Sequence, residues 1–217
     1  MALYPIFLKL QGHKVLIVGG GRIAEEKAEA VLRSATDLTV LAPRITDRLQ
    51  RWAEQGLLKH IPQEYRPGSA RGYFLVIAAT GSEQVNGDVY REAREDGALC
   101  NAVDDPGHCD FYAPAVVRRG DFQIAISTGG HSPALAQQVR KDLEKQFGPE
   151  YGAFAAWLGR MRAGLRSALP ASSQRMELLR LLTFCKPNRI QSNIESCGGS
   201  HGQSNQSRIG GSVETSG

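Results

Sequence analysis

Over the first hundred residues short apolar runs alternate with amphipathic stretches. Residues 14–18 (KVLIV) read as a buried strand, Ile23, Ala24, Ala28, Val31 and Leu32 share one stripe of a helix over 23–32, and 38–41 (LTVL) is a second strand. A strand, a helix and a strand in so short a span make a crossover unit, which places the two strands parallel. The rhythm repeats. Residues 58–61 and 73–78 (YFLVIA) read as strands, Ser82 caps a helix that ends before Gly97, and 99–103 (LCNAV) is a fifth strand. Strands that are apolar almost throughout are covered on both faces, so an α/β, doubly wound parallel sheet is predicted.

The pattern changes after Asp104. Residues 111–117 and 122–127 are strand-like and joined by the turn-like Arg118-Arg119-Gly120-Asp121. Ser132 then offers an N-cap, Pro133 fits the first helical position, and Leu135, Val139 and Leu143 recur until Gly148-Pro149 stops the helix. Two further helices are expected over 151–185, separated at Pro170, with Phe154, Trp157, Leu158, Met161 and Leu165 along the first. From Lys186 onward Gly and Ser dominate and the apolar positions lose their period. Ordering that stretch would cost more entropy than its burial returns, so a disordered tail is expected over 186–217. The expected organisation is thus a nucleotide-type α/β domain over 1–110, a small α+β segment over 111–149, a helical tail domain over 150–185, and the tail.

Charge and composition narrow the partners. Residues 1–150 carry 18 basic and 19 acidic side chains, and 151–217 carry 8 and 3, so the net charge of +4 belongs to the end of the chain. A near-neutral body without a long Lys/Arg run argues against nucleic acid, and a mean hydropathy of −0.29 argues against a membrane protein. Cys100, Cys109, Cys185 and Cys197 lack metal-finger spacing, and the apolar start is short and interrupted by Lys9, so a cytoplasmic protein with reduced thiols is expected.

The strongest chemical signal is VGGGRIAEEKA, where Gly19, Gly21 and Ala24 form a GxGxxA pattern directly after a strand and at the opening of a helix. Such a turn needs a tight bend at the first glycine, no side chain at the second where a pyrophosphate approaches, and a small third residue for packing. No acid follows about twenty residues on to take ribose hydroxyls. The second strand ends at Pro43-Arg44 instead, and Arg44 is either a contact for a 2′-phosphate or a solvated loop residue. Ligands of open α/β sheets lie beyond the carboxyl ends of the strands, which singles out Gly19, Gly20, Gly21, Arg22, Ile23, Pro43, Arg44, Ala79, Thr80, Asp104 and Asp105. Asp104 has the chemistry of a general base or acid and of a passing metal contact; the alternative is an Asp-rich turn with Asp105 before Pro106. The TGGHSP segment, Thr128, Gly129, Gly130, His131, Ser132 and Pro133, offers backbone N–H groups for an anion or is a plainly capped helix start. Arg118, Arg119 and Arg140 either meet carboxylates or are solvated, and His108 and His131 lie in loops.

Taken in order, YPIFLKL, VGGGRIAEEKA, LTVLAP, LVIAAT, CNAVDDPGHCDFYAPAVVRRG and AISTGGHSPALAQQVRKDLE closely resemble the precorrin-2 dehydrogenase and sirohydrochlorin ferrochelatase family, the N-terminal module of siroheme synthases, over residues 1 to about 165. The resemblance implies a Rossmann domain, a dimerisation segment, a helical tail domain and a homodimer that oxidises precorrin-2 to sirohydrochlorin with NAD. It also implies, in some members, insertion of Fe²⁺ or Co²⁺ into the product, with no permanent metal. It puts the catalytic aspartate at Asp104, the cofactor turn at Gly19 to Ile23, the adenosine contact at Pro43 and Arg44, and a residue phosphorylated in some members at Thr128. No methyltransferase domain is present, so a standalone form is expected. A tetrapyrrole polycarboxylate would call on Arg118, Arg119, Arg140 and the Thr128 to His131 segment. Two other readings are a dinucleotide sensor without catalysis and an NAD(P)-dependent dehydrogenase of another small substrate.

Overall fold

A computed structural model describes residues 3–34, 37–169 and 173–183. The expected disordered tail over 186–217, with Cys185 and Cys197, lies outside the described residues. By internal contacts the chain divides into two compact units, Met1–Ala113 and Pro114–Gly217.

In the first unit β1 (Lys14–Val18), α1 (Arg22–Leu32), β2 (Asp37–Leu41), α2 (Asp47–Glu54), β3 (Lys59–Ile61), β4 (Leu75–Ala78), α3 (Glu83–Glu95) and β5 (Leu99–Ala102) follow one another, and the five strands form one parallel sheet. The order is β3-β2-β1-β4-β5. The chain therefore starts in the middle, winds outward to β3, and crosses back to β4. The connectivity reverses between β1 and β4, where adjacent crossovers leave the sheet on opposite faces and open a crevice.

The pleat explains the apolar runs. Val15 and Ile17 point to one face with Leu38, Val40, Leu75 and Ile77, beneath Ala24, Ala28 and Val31 of α1 and Leu49 of α2. Leu16 and Val18 point to the other face with Val76, Ala78, Cys100 and Ala102, beneath Val89 and Ala93 of α3. Each central strand thus contributes to two cores. Ile23 departs from the expected stripe: it is 42% exposed, because the first turn of α1 stands clear of the sheet and only Ala24 there reaches the core.

Two polar side chains sit on the buried face of α3. Glu92 accepts from the Tyr65 hydroxyl at 2.5 Å and from the Ala70 amide at 3.1 Å, tying down the long connection between β3 and β4. Burial, with the adjoining Glu92 carboxylate, pushes the Tyr65 hydroxyl pKa well above its ordinary value. The second, Asn86, belongs to the site described below.

In the second unit β6 (Ala115–Arg119) and β7 (Phe122–Ile126) form an antiparallel hairpin, followed by α4 (Pro133–Gln146), α5 (Glu150–Ala168) and α6 (Ser173–Thr183). The hairpin register pairs Arg118 with Gln123 and Arg119 with Phe122, so both arginines belong to the strand and the turn is Gly120-Asp121 alone. That corrects the four-residue turn expected from sequence. The first strand also begins later than expected, after Pro114. Ala115 and Val117 of β6 and Ala136 of α4 are buried, and Phe122, Phe147 and Tyr151 cluster with ring centroids 5.0 to 5.6 Å apart. Helices α5 and α6 fall within this same compact unit.

Candidate active site

The three glycines after β1 are there for three different reasons. Gly19 has φ 123°, and a Cβ on it would lie 2.3 Å from the Ala79 carbonyl oxygen at the end of β4. Gly20 has ordinary backbone, yet its Cβ would lie 1.9 Å from the Arg44 carbonyl oxygen. Its own carbonyl accepts from the Thr46 amide at 3.1 Å, so the loop after β2 lies directly against the turn. Gly21 is the residue that caps α1, with φ −83°, and a Cβ there would meet nothing within 4 Å. The space in front of Gly21 is open, and no side chain caps the first amides of α1. That is the arrangement a dinucleotide pyrophosphate needs: backbone donors, the positive end of a helix, and room for close approach. The residues present fit the cofactor.

The flanking loops are pinned. Thr46 caps α2 by accepting from the Leu49 amide and donates to Glu25 of α1 at 2.6 Å, while Arg48 bridges Glu25 and Glu29 at 3.5 and 3.0 Å. Pro43 and Arg44 are exposed beside this network. Beyond β4, Thr80 is held by Asn86, which sequence reasoning missed. A polar residue in phase with Val89 and Ala93 on the buried helix face was the available signal.

Asp104 follows β5, which is the edge strand; it is two strands from β1 and not beside the reversal of connectivity. Strand order is set by long-range packing, which local pattern does not encode. The Asp105 amide donates to the Ala102 carbonyl at 3.3 Å, closing a tight turn whose third residue is Asp104 with φ 63°. Among the described residues it is the one non-glycine residue in the left-handed region. An aspartate is held there at a cost of about 1 kcal/mol, and the surroundings show how. The chain after the turn runs back along β5: Asn101 bridges Cys109, the Asp110 amide donates to Cys100, and the Asp110 carboxylate accepts from the Cys100 amide at 3.0 Å and pairs with Arg94. The Asn101 amide donates to Cys109 Sγ and to the Phe111 carbonyl. Burial pushes the Cys100 thiol pKa up to about 12 and raises that of Cys109 too; Cys100 packs in the core, and Cys109 Sγ donates to the Ala102 and Asp105 carbonyls. This anchoring presents the exposed Asp104 carboxylate at the apex of the loop.

Its neighbour is engaged elsewhere. Asp105 caps the 3₁₀ turn Pro106–His108 through the Gly107 amide and holds His108 Nδ1 at 2.5 Å, and hydrogen bonding to that imidazole keeps its carboxyl below the ordinary range.

In the second unit the TGGHSP segment closes on itself. Ser127 Oγ accepts from the Gly129 amide, the Thr128 carbonyl from the His131 amide, Thr128 Oγ1 from the Ser132 amide, and Ser132 Oγ from the Leu135 amide. Four amides between Gly129 and Leu135 are thus engaged by hydroxyls and carbonyls of the segment itself, the geometry of a capped helix start, and Gly129 and Gly130, at φ 62° and 86°, shape the loop. Arg119 is not a solvated charge either: its guanidinium donates to the carbonyls of Arg118, Glu144 and Phe147, capping the end of α4. Its guanidinium donors are thus engaged by the protein's own backbone. Arg118 donates to Gln123, and Arg140 pairs with Glu144 at 2.5 Å. Among the described residues no three His, Cys, Asp or Glu side chains converge as metal ligands, and no helix is long and apolar enough to cross a membrane.

A reversing parallel sheet with an open glycine cradle at its switch point defines an NAD(P)-binding α/β protein. Comparison with known proteins agrees. Residues 6–115 match a family described as "Putative NAD(P)-binding", and residues 119–146 match "Sirohaem biosynthesis protein central". Siroheme synthase 1 of Aeromonas hydrophila is 38% identical over 167 residues, 77% of this chain and 36% of that protein. Siroheme synthase 2 of Yersinia enterocolitica is 38% identical over 175 residues, 81% and 37% respectively. The chain thus spans little more than a third of the length of these relatives. Among solved structures, SirC, a precorrin-2 dehydrogenase, superposes with a TM-score of 0.71 at 27% identity, over 89% of this chain and 100% of that one. The chain belongs to the family of NAD(P)-binding proteins of siroheme biosynthesis that includes precorrin-2 dehydrogenase.

Proposed function

We propose that this chain oxidises precorrin-2 to sirohydrochlorin with NAD. The observation that carries the reading is that the carboxyl ends of the strands bear both an open dinucleotide cradle at Gly21, after β1, and a carboxylate held at the apex of a strained turn at Asp104, after β5. The fit to SirC along the whole of that chain supports it. In this reading Gly19, Gly20, Gly21, Arg22 and Ile23 hold the pyrophosphate, Pro43 and Arg44 the adenosine, and Thr80 borders the nicotinamide half. NAD, when bound, supplies the hydride acceptor. Asp104 takes the proton that leaves the macrocycle with the hydride, so two electrons and two hydrogens are accounted for. The same carboxylate collects pyrrole protons if the protein goes on to insert Fe²⁺ or Co²⁺, the metal then being a substrate. Within the second unit, Arg118, Arg140 and the segment Thr128, Gly129, Gly130 and His131 are each at least partly exposed and are the residues proposed to meet substrate carboxylates.

Turnover of precorrin-2 with NAD under anaerobic conditions tests the proposal, and a chain that binds NAD without turning over would be a sensor instead. The cofactor preference follows from the loop after β2. No acid stands there to grip ribose hydroxyls, but Arg44 is exposed and its carbonyl is fixed against Gly20, which leaves the side chain no enforced aim at a 2′-phosphate. Calorimetric titration should show tighter binding of NAD than of NADP; the reverse order would assign Arg44 to the phosphate.

We also propose a homodimer. Leu135 of α4 is 54% exposed, and among the described residues the hairpin β6–β7 leaves two strand edges without a further strand in its sheet. Sedimentation at micromolar concentration should give twice the chain mass, and an active monomer would contradict it.

A further inference from the structure

Asn86 is 6% exposed on the core-facing side of α3, and all three of its side-chain hydrogen bonds go to one residue. Its Oδ1 accepts from the Thr80 amide at 3.1 Å and from Thr80 Oγ1 at 2.7 Å, and its Nδ2 donates to the Thr80 carbonyl at 3.2 Å. The Thr80 hydroxyl in turn accepts from the Ser82 amide, and Ser82 caps α3 through the Val85 amide. A buried side-chain amide is costly unless bonded, and an apolar residue here would pack on Val89 and Ala93 equally well while leaving the Thr80 peptide groups without partners. The clamped turn lies at the reversal of connectivity, where the Ala79 carbonyl forms the wall that excludes any side chain from Gly19. With the pyrophosphate on α1, the adenosine half extends over β2 and the nicotinamide half over β4.

We propose that Asn86 is the positioning residue for the nicotinamide half of the cofactor site, holding the Ala79–Thr80 turn so that the wall opposite Gly19 is rigid before the cofactor arrives. This rests on reading the β1 turn as the NAD site. Preorganisation of this kind strengthens binding of the part of the ligand that touches the turn and leaves the other part alone.

The two halves can be titrated separately, with NAD and with AMP, on the whole chain. Asn86→Ala should weaken NAD by about tenfold, the cost of unpartnered peptide groups at a ligand wall, with AMP affinity retained. Asn86→Asp keeps both bonds it accepts but sets a carboxylate oxygen against the Thr80 carbonyl, so a loss for NAD with AMP again retained is expected; it decides the matter by the same ratio if the alanine variant fails to fold. Unchanged NAD affinity in the variants, or an equal loss for NAD and AMP, would overturn the assignment and leave Asn86 a packing residue. Absence of both NAD and AMP binding in the unaltered chain would overturn the reading of the β1 turn itself.

Discussion

Asp104→Asn is expected to lower the rate of NADH formation from precorrin-2 by about a hundredfold to ten-thousandfold, the range that loss of a general base produces, with NAD affinity preserved. The backbone makes this substitution a clean one. Asparagine is, with aspartate and glycine, the residue that tolerates the left-handed region, so the turn at φ 63° survives while the proton acceptor is lost. Asp104→Ala should lose as much activity but also about 1 kcal/mol of stability, because alanine has no compensation for that conformation. Cofactor binding is insulated, since the glycine turn follows β1 and Asp104 follows β5, with β4 between them. The adjacent carboxylate is a less simple control than its position suggests. Asp105 caps the following turn and orients His108, so Asp105→Ala should act through loop order, and a loss larger than that of Asp104→Asn would transfer the role to it. Near-normal turnover by Asp104→Asn would reject Asp104 as the base.

Gly21→Val is expected to abolish NAD binding in a folded protein. A Cβ at Gly21 meets nothing within 4 Å and its φ of −83° suits any residue, so the valine side chain occupies the open cradle without disturbing the chain. Gly20→Val is the contrast: its Cβ would overlap the Arg44 carbonyl, and the turn and the loop after β2 cannot both keep their places. Calorimetry together with thermal unfolding separates the two. Gly21→Val should lose binding with an unfolding midpoint near that of the unaltered chain, and Gly20→Val should lose both. Undiminished NAD affinity in folded Gly21→Val would remove the pyrophosphate from this turn.

The parallel sheet and the cofactor turn were legible because their signals are local. Four or five consecutive apolar residues, a glycine run and a helix stripe fit within a short window, and the pleat sends Val15 and Leu16 to different cores from a single run. What was not legible depends on partners far along the chain. Gly20 is needed because of a carbonyl at Arg44; Arg119 looks like a solvated charge until the carbonyls of Glu144 and Phe147 come to it; and the place of β5 at the edge is fixed by which strands pack. Ile23 was misplaced for a related reason, since periodicity identifies a helix face but not where the sheet beneath it ends. Asn86 and Glu92 carried a signal of an intermediate kind, polar residues in phase with Val89 and Ala93, which marks a buried polar contact without naming its partner.

The central claim is that this chain itself transfers a hydride from precorrin-2 to NAD. It is tested most directly by a single-turnover reaction, anaerobic, with enzyme in excess over precorrin-2 and NAD saturating. The account predicts that NADH and sirohydrochlorin appear together, one for one, with a single rate constant. Precorrin-2 left unchanged by enzyme with NAD bound, or sirohydrochlorin formed without NADH, would contradict it.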